Sequence, residues 1–147
     1  MYRDFIETGL HTGMRVSEIC NWKWDDIDFV AMKIRVMNTE WFWTRSKKEG
    51  TVPLHPTLPE ILISRGQTDH LPYIFVRPDG GLVYPETPNN KFRKYCKMAG
   101  LDPRFHFHTL RHTFASHLAM NGVSLYFIHK MLGHQPIEPT TKTLTCQ

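Results

Sequence analysis

Apolar positions recur at helical spacing over most of the chain. Tyr2, Phe5, Ile6 and Leu10 line one side of a helix that begins at the first residues and is broken by Gly13. Helix resumes in MRVSEICNW, with Val16, Ile19 and Cys20 on one face, and WDDIDF ends it in an Asp-rich turn. The pattern then turns to extended structure. KIRVM (33–37), EWFWT (40–44) and TVPL (51–54) read as strands, and the polar, glycine-bearing RSKKEG reads as a hairpin tip. Helical spacing returns from Pro56 to Gly66, and YIFV (73–76) is a short extended piece. Thr87 to Ala99 follows as a helix with Phe92, Tyr95 and Met98 inward, stopped at Gly100. Thr109 to Asn121 is the next, with Leu110, Phe114 and Leu118 inward and Gly122 as its stop. Ser124 caps a last helix, LYFIHKML, ended by Gly133. The expectation is an α+β fold: one mainly helical domain with a small antiparallel three-stranded sheet near its N-terminal third. Trp22, Trp24, Trp41 and Trp43 are expected in the core or on a sheet face, and Tyr126 in the core.

Composition narrows the class without naming a function. At 147 residues the chain is one domain's worth, and 41% apolar with 22% charged residues suits a globular chain. No apolar run approaches the roughly 20 residues of a membrane helix. The start, MYRDFIETGLHTG, lacks the basic-then-apolar order of a signal peptide, so a cytoplasmic protein is expected. Cys20, Cys96 and Cys146 are far apart and form no CxxC pair, which argues against a disulfide framework or a thiolate zinc site. The net charge of +4 permits a polyanionic partner, and the base is gathered in TRSKK, RKYCK and LRH.

Two arginines stand at helix starts. Arg15 lies just past Gly13, and Arg111 lies in the first turn of its helix between His108 and His112. Helix-start N–H groups favour anions, and a guanidinium adds a planar fork that fits a phosphate. His108, three residues before Arg111, falls on the same side of the helix. His134, just past Gly133, joins them if the fold brings it in. Taken singly, each has a plainer reading: a helix-start arginine is more often a surface residue, His134 suits a helix C-cap, and RSKK suits a solvated tip. His112 and His117 are expected to pack or to face solvent. His108 and His112 also have a spacing that zinc can use, which raises a metal-dependent hydrolase. No carboxylate lies near to serve as base or third ligand, and Arg111 between them repels a cation.

TGMRVSEI (12–19), FHTLRHTFASHLAMNG (107–122) and MLGH (131–134) resemble, in order, the three signature boxes of the tyrosine recombinase, or phage integrase, catalytic domain. TVPLHP at the end of the β region matches that family's sheet. The resemblance implies site-specific DNA recombination or integration on double-stranded DNA, with self-association on the DNA and no metal or cofactor. It implies that Arg15 and Arg111 cradle the scissile phosphate with His108, that His134 assists, and that Glu18 orients the first box. A hairpin lysine protonates the leaving oxygen in this family. Arg45 occupies the usual place of that lysine, so Lys47 is assigned the acid role, with Arg45 and Lys48 as DNA contacts. The family's nucleophilic tyrosine follows the third-box histidine by about nine residues. Thr143 or Leu144 stands there, behind Pro136 and Pro139, and the last tyrosine in the chain is Tyr126. The abrupt start and the unpatterned tail lead to the expectation of a truncated or frameshifted domain without its N-terminal DNA-clamping domain. Such a domain activates the phosphate without its own nucleophile, or survives as a non-cleaving DNA-binding relic.

Overall fold

Helix α1 (Tyr2–Thr12) runs through the middle of the molecule. The computed structural model describes residues 1–36, 50–67 and 70–132 of the chain. Two of the residues that α1 buries are threonines. Thr8 and Thr12 each donate their hydroxyl to the carbonyl four residues back, Asp4 at 2.8 Å and Thr8 at 2.6 Å, so neither enters the core unsatisfied. Gly13 ends α1 in the left-handed region (φ 66°), its N–H bonded to the Gly9 carbonyl. A short helix α2 (Val16–Cys20) follows, then a 3-10 turn over Trp24–Asp26.

The sheet is antiparallel, in the order β1 (Ile27–Asp28), β2 (Lys33–Val36), β3 (Gly50–Pro53). Ile34 pairs with Val52, and both point into the core, while Arg35 and Thr51 beside them face out. The tight β1–β2 connection is held by the Asp28 carboxylate, which accepts from the N–H groups of Val30 and Ala31. Beyond the sheet lie α3 (Leu58–Arg65), α4 (Glu86–Met98), α5 (Phe107–Met120) and α6 (Leu125–Met131). Ser124 caps α6 by accepting from the Phe127 N–H. The fold class is the expected one, α+β and mainly helical with a three-stranded antiparallel sheet.

A chain of edge-to-face aromatic contacts ties the elements together. Phe5 of α1 meets Phe75 at 4.9 Å and Phe107 of α5 at 5.5 Å, and Phe107 meets Phe92 of α4 at 5.9 Å. The segment that carries Phe75 is stitched to the α2 end by Ile74 N–H to Trp22 O and Trp24 N–H to Pro72 O. Trp22 is buried and Trp24 partly so, whereas Trp41 and Trp43 lie outside the described residues.

Three details differ from the sequence reading. The end of WDDIDF is a strand, because Ile27 and Asp28 pair with Ile34 and Lys33. This short strand is one of the three that form the sheet, and EWFWT lies outside the described residues. On α4 the inward residues are Pro88, Phe92 and Cys96, which step by four, so Tyr95 and Met98 project into solvent. Tyr126 is 69% exposed, not core. Helix α6 is short and rests on the body through Ile128 and Leu132, so Leu125, Tyr126 and Phe127 point outward from the same apolar run.

Gly13 tests the junction of α1, α5 and α6. A Cβ there would sit 2.5 Å from Phe114 Cδ1 and 2.8 Å from Leu132 Cδ2, at a backbone angle that side chains rarely adopt. Gly13→Ala is expected to cost roughly 2–4 kcal/mol, left-handed strain adding to overpacking. Urea unfolding reads this directly, and an unchanged midpoint would mean that the junction is looser than described.

Candidate functional site

Arg15 stands at the N-cap of α2 with extended backbone (φ −70°, ψ 152°). Glu18, three residues on and buried, holds it twice. One carboxylate oxygen accepts from the Arg15 backbone N–H at 2.8 Å and the other from Nη1 at 3.0 Å. The second contact fixes the direction of a side chain that is still 21% exposed.

Arg111 sits on α5 and is only 3% exposed. Its Nη1 donates to the Gly13 carbonyl at 2.7 Å, and its Nη2 donates to the Leu132 carbonyl. One guanidinium thus joins the loop that precedes Arg15 to the end of α6, two residues before His134. Burial and, after it, the Arg15 charge bring the Arg111 pKa down to about 10, with Glu18 acting in the opposite sense. Arg111 is therefore a cation at neutral pH.

His108 lies half-buried on the same helix, three residues before Arg111. The His112 ring is 4.9 Å away at 87°, and the His106 ring 6.2 Å away at 23°. Burial is the main cause that lowers the His108 pKa below its usual 6.5, followed by His112, Arg111, His106 and Arg15. Arg15 acts on both Arg111 and His108, so two guanidinium cations and an imidazole share one neighbourhood. The charge of the two arginines, with the imidazole beside them, suits a bound anion with several oxygens.

The structure brings together Arg15, His108 and Arg111, with Glu18 behind them. Arg45, Lys47, Lys48, His134, Thr143 and Leu144 lie outside the described residues. His112 and His117 are exposed. Among the described residues no group of three or more His, Cys, Asp or Glu side chains is arranged to hold a metal ion, and no helix is long and apolar enough to cross a membrane. The Gly13 and Leu132 carbonyls were not foreseeable as partners of Arg111, because a backbone carbonyl carries no residue identity. The imidazoles beside His108 had a signal, the FHFHTLRH run, which the sequence reading weighed only as metal ligands.

Residues 1–144 match the phage integrase family. The chain is 33% identical over 145 residues to a tyrosine recombinase of Pseudothermotoga lettingae, a match covering 95% of this chain and 48% of that protein. It is 34% identical over 134 residues to the tyrosine recombinase XerA of Pyrococcus furiosus, covering 88% of this chain and 44% of that protein. Among solved structures, a XerA recombinase crystal structure superposes with a TM-score of 0.72 at 28% identity, over 90% of this chain and 53% of that one. The Tn1549 transposon integrase, solved in complex with circular intermediate DNA, shares the fold with a TM-score of 0.75 at 21% identity, over 91% of this chain and 50% of that one. The chain spans about half the length of these relatives.

Arg111 is a structural clamp within the candidate site. Arg111→Ala would leave the Gly13 and Leu132 carbonyls without its guanidinium and open a buried gap, an expected loss of roughly 3 kcal/mol in urea unfolding. Arg111→Lys should recover less than half of this, since a single ammonium cannot span both carbonyls. If both variants unfold at the wild-type urea midpoint, the clamp does not hold the fold.

Proposed function

The chain belongs to the phage integrase family of tyrosine recombinases, and on that footing we propose that it binds double-stranded DNA and activates a phosphodiester for transesterification in site-specific recombination or integration. One observation carries the reading. Arg111 bonds to the carbonyl of Gly13, 98 residues away, so that two arginines from opposite ends of the sequence flank one spot. A surface arginine has no need of such an arrangement.

The chemistry is an in-line displacement at phosphorus. A hydroxyl attacks and gives up its proton to solvent, the 5′ oxygen leaves with a proton, and the 3′ phosphoryl group passes to the attacking oxygen. Arg15 and Arg111 would neutralise the two non-bridging oxygens, and both are already oriented, one by Glu18 and the other by two carbonyls. His108, held mostly uncharged, offers a ring N–H to the same phosphate. His134 assists from the third box. Lys47 supplies the leaving-group proton, since the pKa of Arg45 is too high for that task, and Arg45 and Lys48 hold the DNA backbone. No step in this scheme calls for a metal or cofactor.

The sequence also supports a non-cleaving reading, because residues 127–147 contain no tyrosine. Threonine at position 143 is a weak nucleophile without an activating base. Self-association on DNA belongs to the proposal, since a second polypeptide can lend the tyrosine that residues 127–147 lack.

Duplex binding measured by fluorescence anisotropy is expected to weaken steeply with salt and to depend little on sequence, as phosphate contacts dictate. Arg15→Ala should weaken all duplexes alike and reduce the salt slope by about one. Affinity that stays flat with salt would overturn phosphate binding. With a nicked suicide substrate, the unmodified chain should give no protease-sensitive covalent band. Thr143→Tyr or Leu144→Tyr should give a trace at best, since Pro136 and Pro139 misplace the hydroxyl and a small misplacement costs on the order of 100-fold. A strong band from the unmodified chain would locate the nucleophile elsewhere, with exposed Tyr126 the first to replace by Phe.

A further inference from the structure

His108 stands in a row of three imidazoles, and the transesterification scheme uses only one of them. His106 is the N-cap of α5 and is anchored, its N–H bonded to Thr109 Oγ1 at 3.1 Å and its Nδ1 3.1 Å from the Arg104 carbonyl. On the other side, one helical turn along, the ring of His112 meets that of His108 nearly perpendicularly, with centroids 4.9 Å apart. His112 is exposed and His108 is half-buried. We propose that His112 is a positioning residue for His108: its perpendicular ring sets the orientation of the His108 imidazole. The proposal rests on the reading of Arg15, His108 and Arg111 as a phosphate cradle.

Burial disfavours a proton on His108, and two imidazoles in contact repel when both are charged, so His112 disfavours it further. The other charges that act on His108 work in the same sense. From α5 these are Arg111 and His106, and from the start of α2 it is Arg15, all cationic or able to become so. The nearby carboxylate, Glu18, is engaged with Arg15. Near neutral pH the site therefore holds a neutral His108 in one orientation, with one ring N–H and one ring acceptor. A phosphate oxygen arriving between Arg15 and Arg111 offsets the surrounding positive charge and raises the proton affinity of His108. His112 would never touch the phosphate in this scheme. It acts through His108.

The test is an NMR titration of the 147-residue chain, with histidine rings labelled, in wild type, His112→Phe and His112→Ala. Wild type should show a His108 midpoint below that of an ordinary imidazole. His112→Phe keeps an aromatic ring against His108 and removes the charge. It should raise the His108 midpoint by about half a pH unit or more while the His108 ring contacts stay as in wild type. His112→Ala should raise the midpoint similarly and also average those contacts, which a role limited to packing would not produce in the Phe variant. A His108 midpoint and His108 ring contacts that are the same in all three proteins would overturn the proposal. Adding a DNA duplex separates this from the phosphate reading. If the variants shift His108 as expected but DNA leaves its resonances and midpoint unmoved, the imidazole coupling stands and the cradle fails.

Discussion

A buried cation organises this molecule. The Arg111 guanidinium donates to Gly13 at the end of α1 and to Leu132 at the end of α6, elements that otherwise meet only at their margins. An arginine can serve here and a lysine cannot, because its planar fork reaches two carbonyls in fixed directions and keeps its charge despite burial. Helix ends leave carbonyls without partners, and a cation placed against them answers both the hydrogen bonds and the dipole. Gly13 must be a glycine for the same junction to close, since Phe114 and Leu132 occupy the space a side chain would need.

The same clamp concentrates positive charge. Arg15 lies close enough to lower the Arg111 pKa, and both lower that of His108. Glu18 tempers this repulsion while directing the Arg15 side chain. The outcome is a set of donors whose mutual repulsion is tolerated because the scaffold holds them, and an anion would relieve it. Preorganisation of this kind is what catalysis of phosphoryl transfer asks of a protein, because the donors need not reorganise as charge develops.

The scaffold is built for rigidity around that point. Phe107 opens α5 one residue before His108 and is locked between Phe5 and Phe92, so the first turn of the helix cannot shift without disturbing three elements. On the far side of α1, Arg65 pairs with Asp4 at 2.8 Å and lies over the Phe75 ring, pinning α3 to the opposite end of the same helix. The exposed apolar residues Leu125, Tyr126 and Phe127 lie on α6 beyond the clamp, where they leave the packing around Arg111 undisturbed.

Much of this was legible in the sequence, and the reason is local. Helix periodicity, Gly13 as a stop and Ser124 as a cap depend on neighbours within one turn, and a reader of the sequence has those neighbours in hand. The motifs around Arg15, His108 and Arg111 pointed to phosphate chemistry through their resemblance to three signature boxes in order, since each residue taken singly has a plainer reading. What only the tertiary structure decided depends on partners far along the chain. Ile27 and Asp28 looked like a turn until Ile34 and Lys33 offered them hydrogen bonds. The inward face of α4 turned on Phe107 and the rest of the core beneath it, so a step of three (Phe92, Tyr95, Met98) lost to a step of four (Pro88, Phe92, Cys96). Tyr126 had apolar neighbours in sequence but is 69% exposed, with Ile128 and Leu132 taking the inward positions of α6. The partners of Arg111 were invisible for a deeper reason: they are main-chain carbonyls, identical at every position, and only the path of the folded chain selects which two lie within reach.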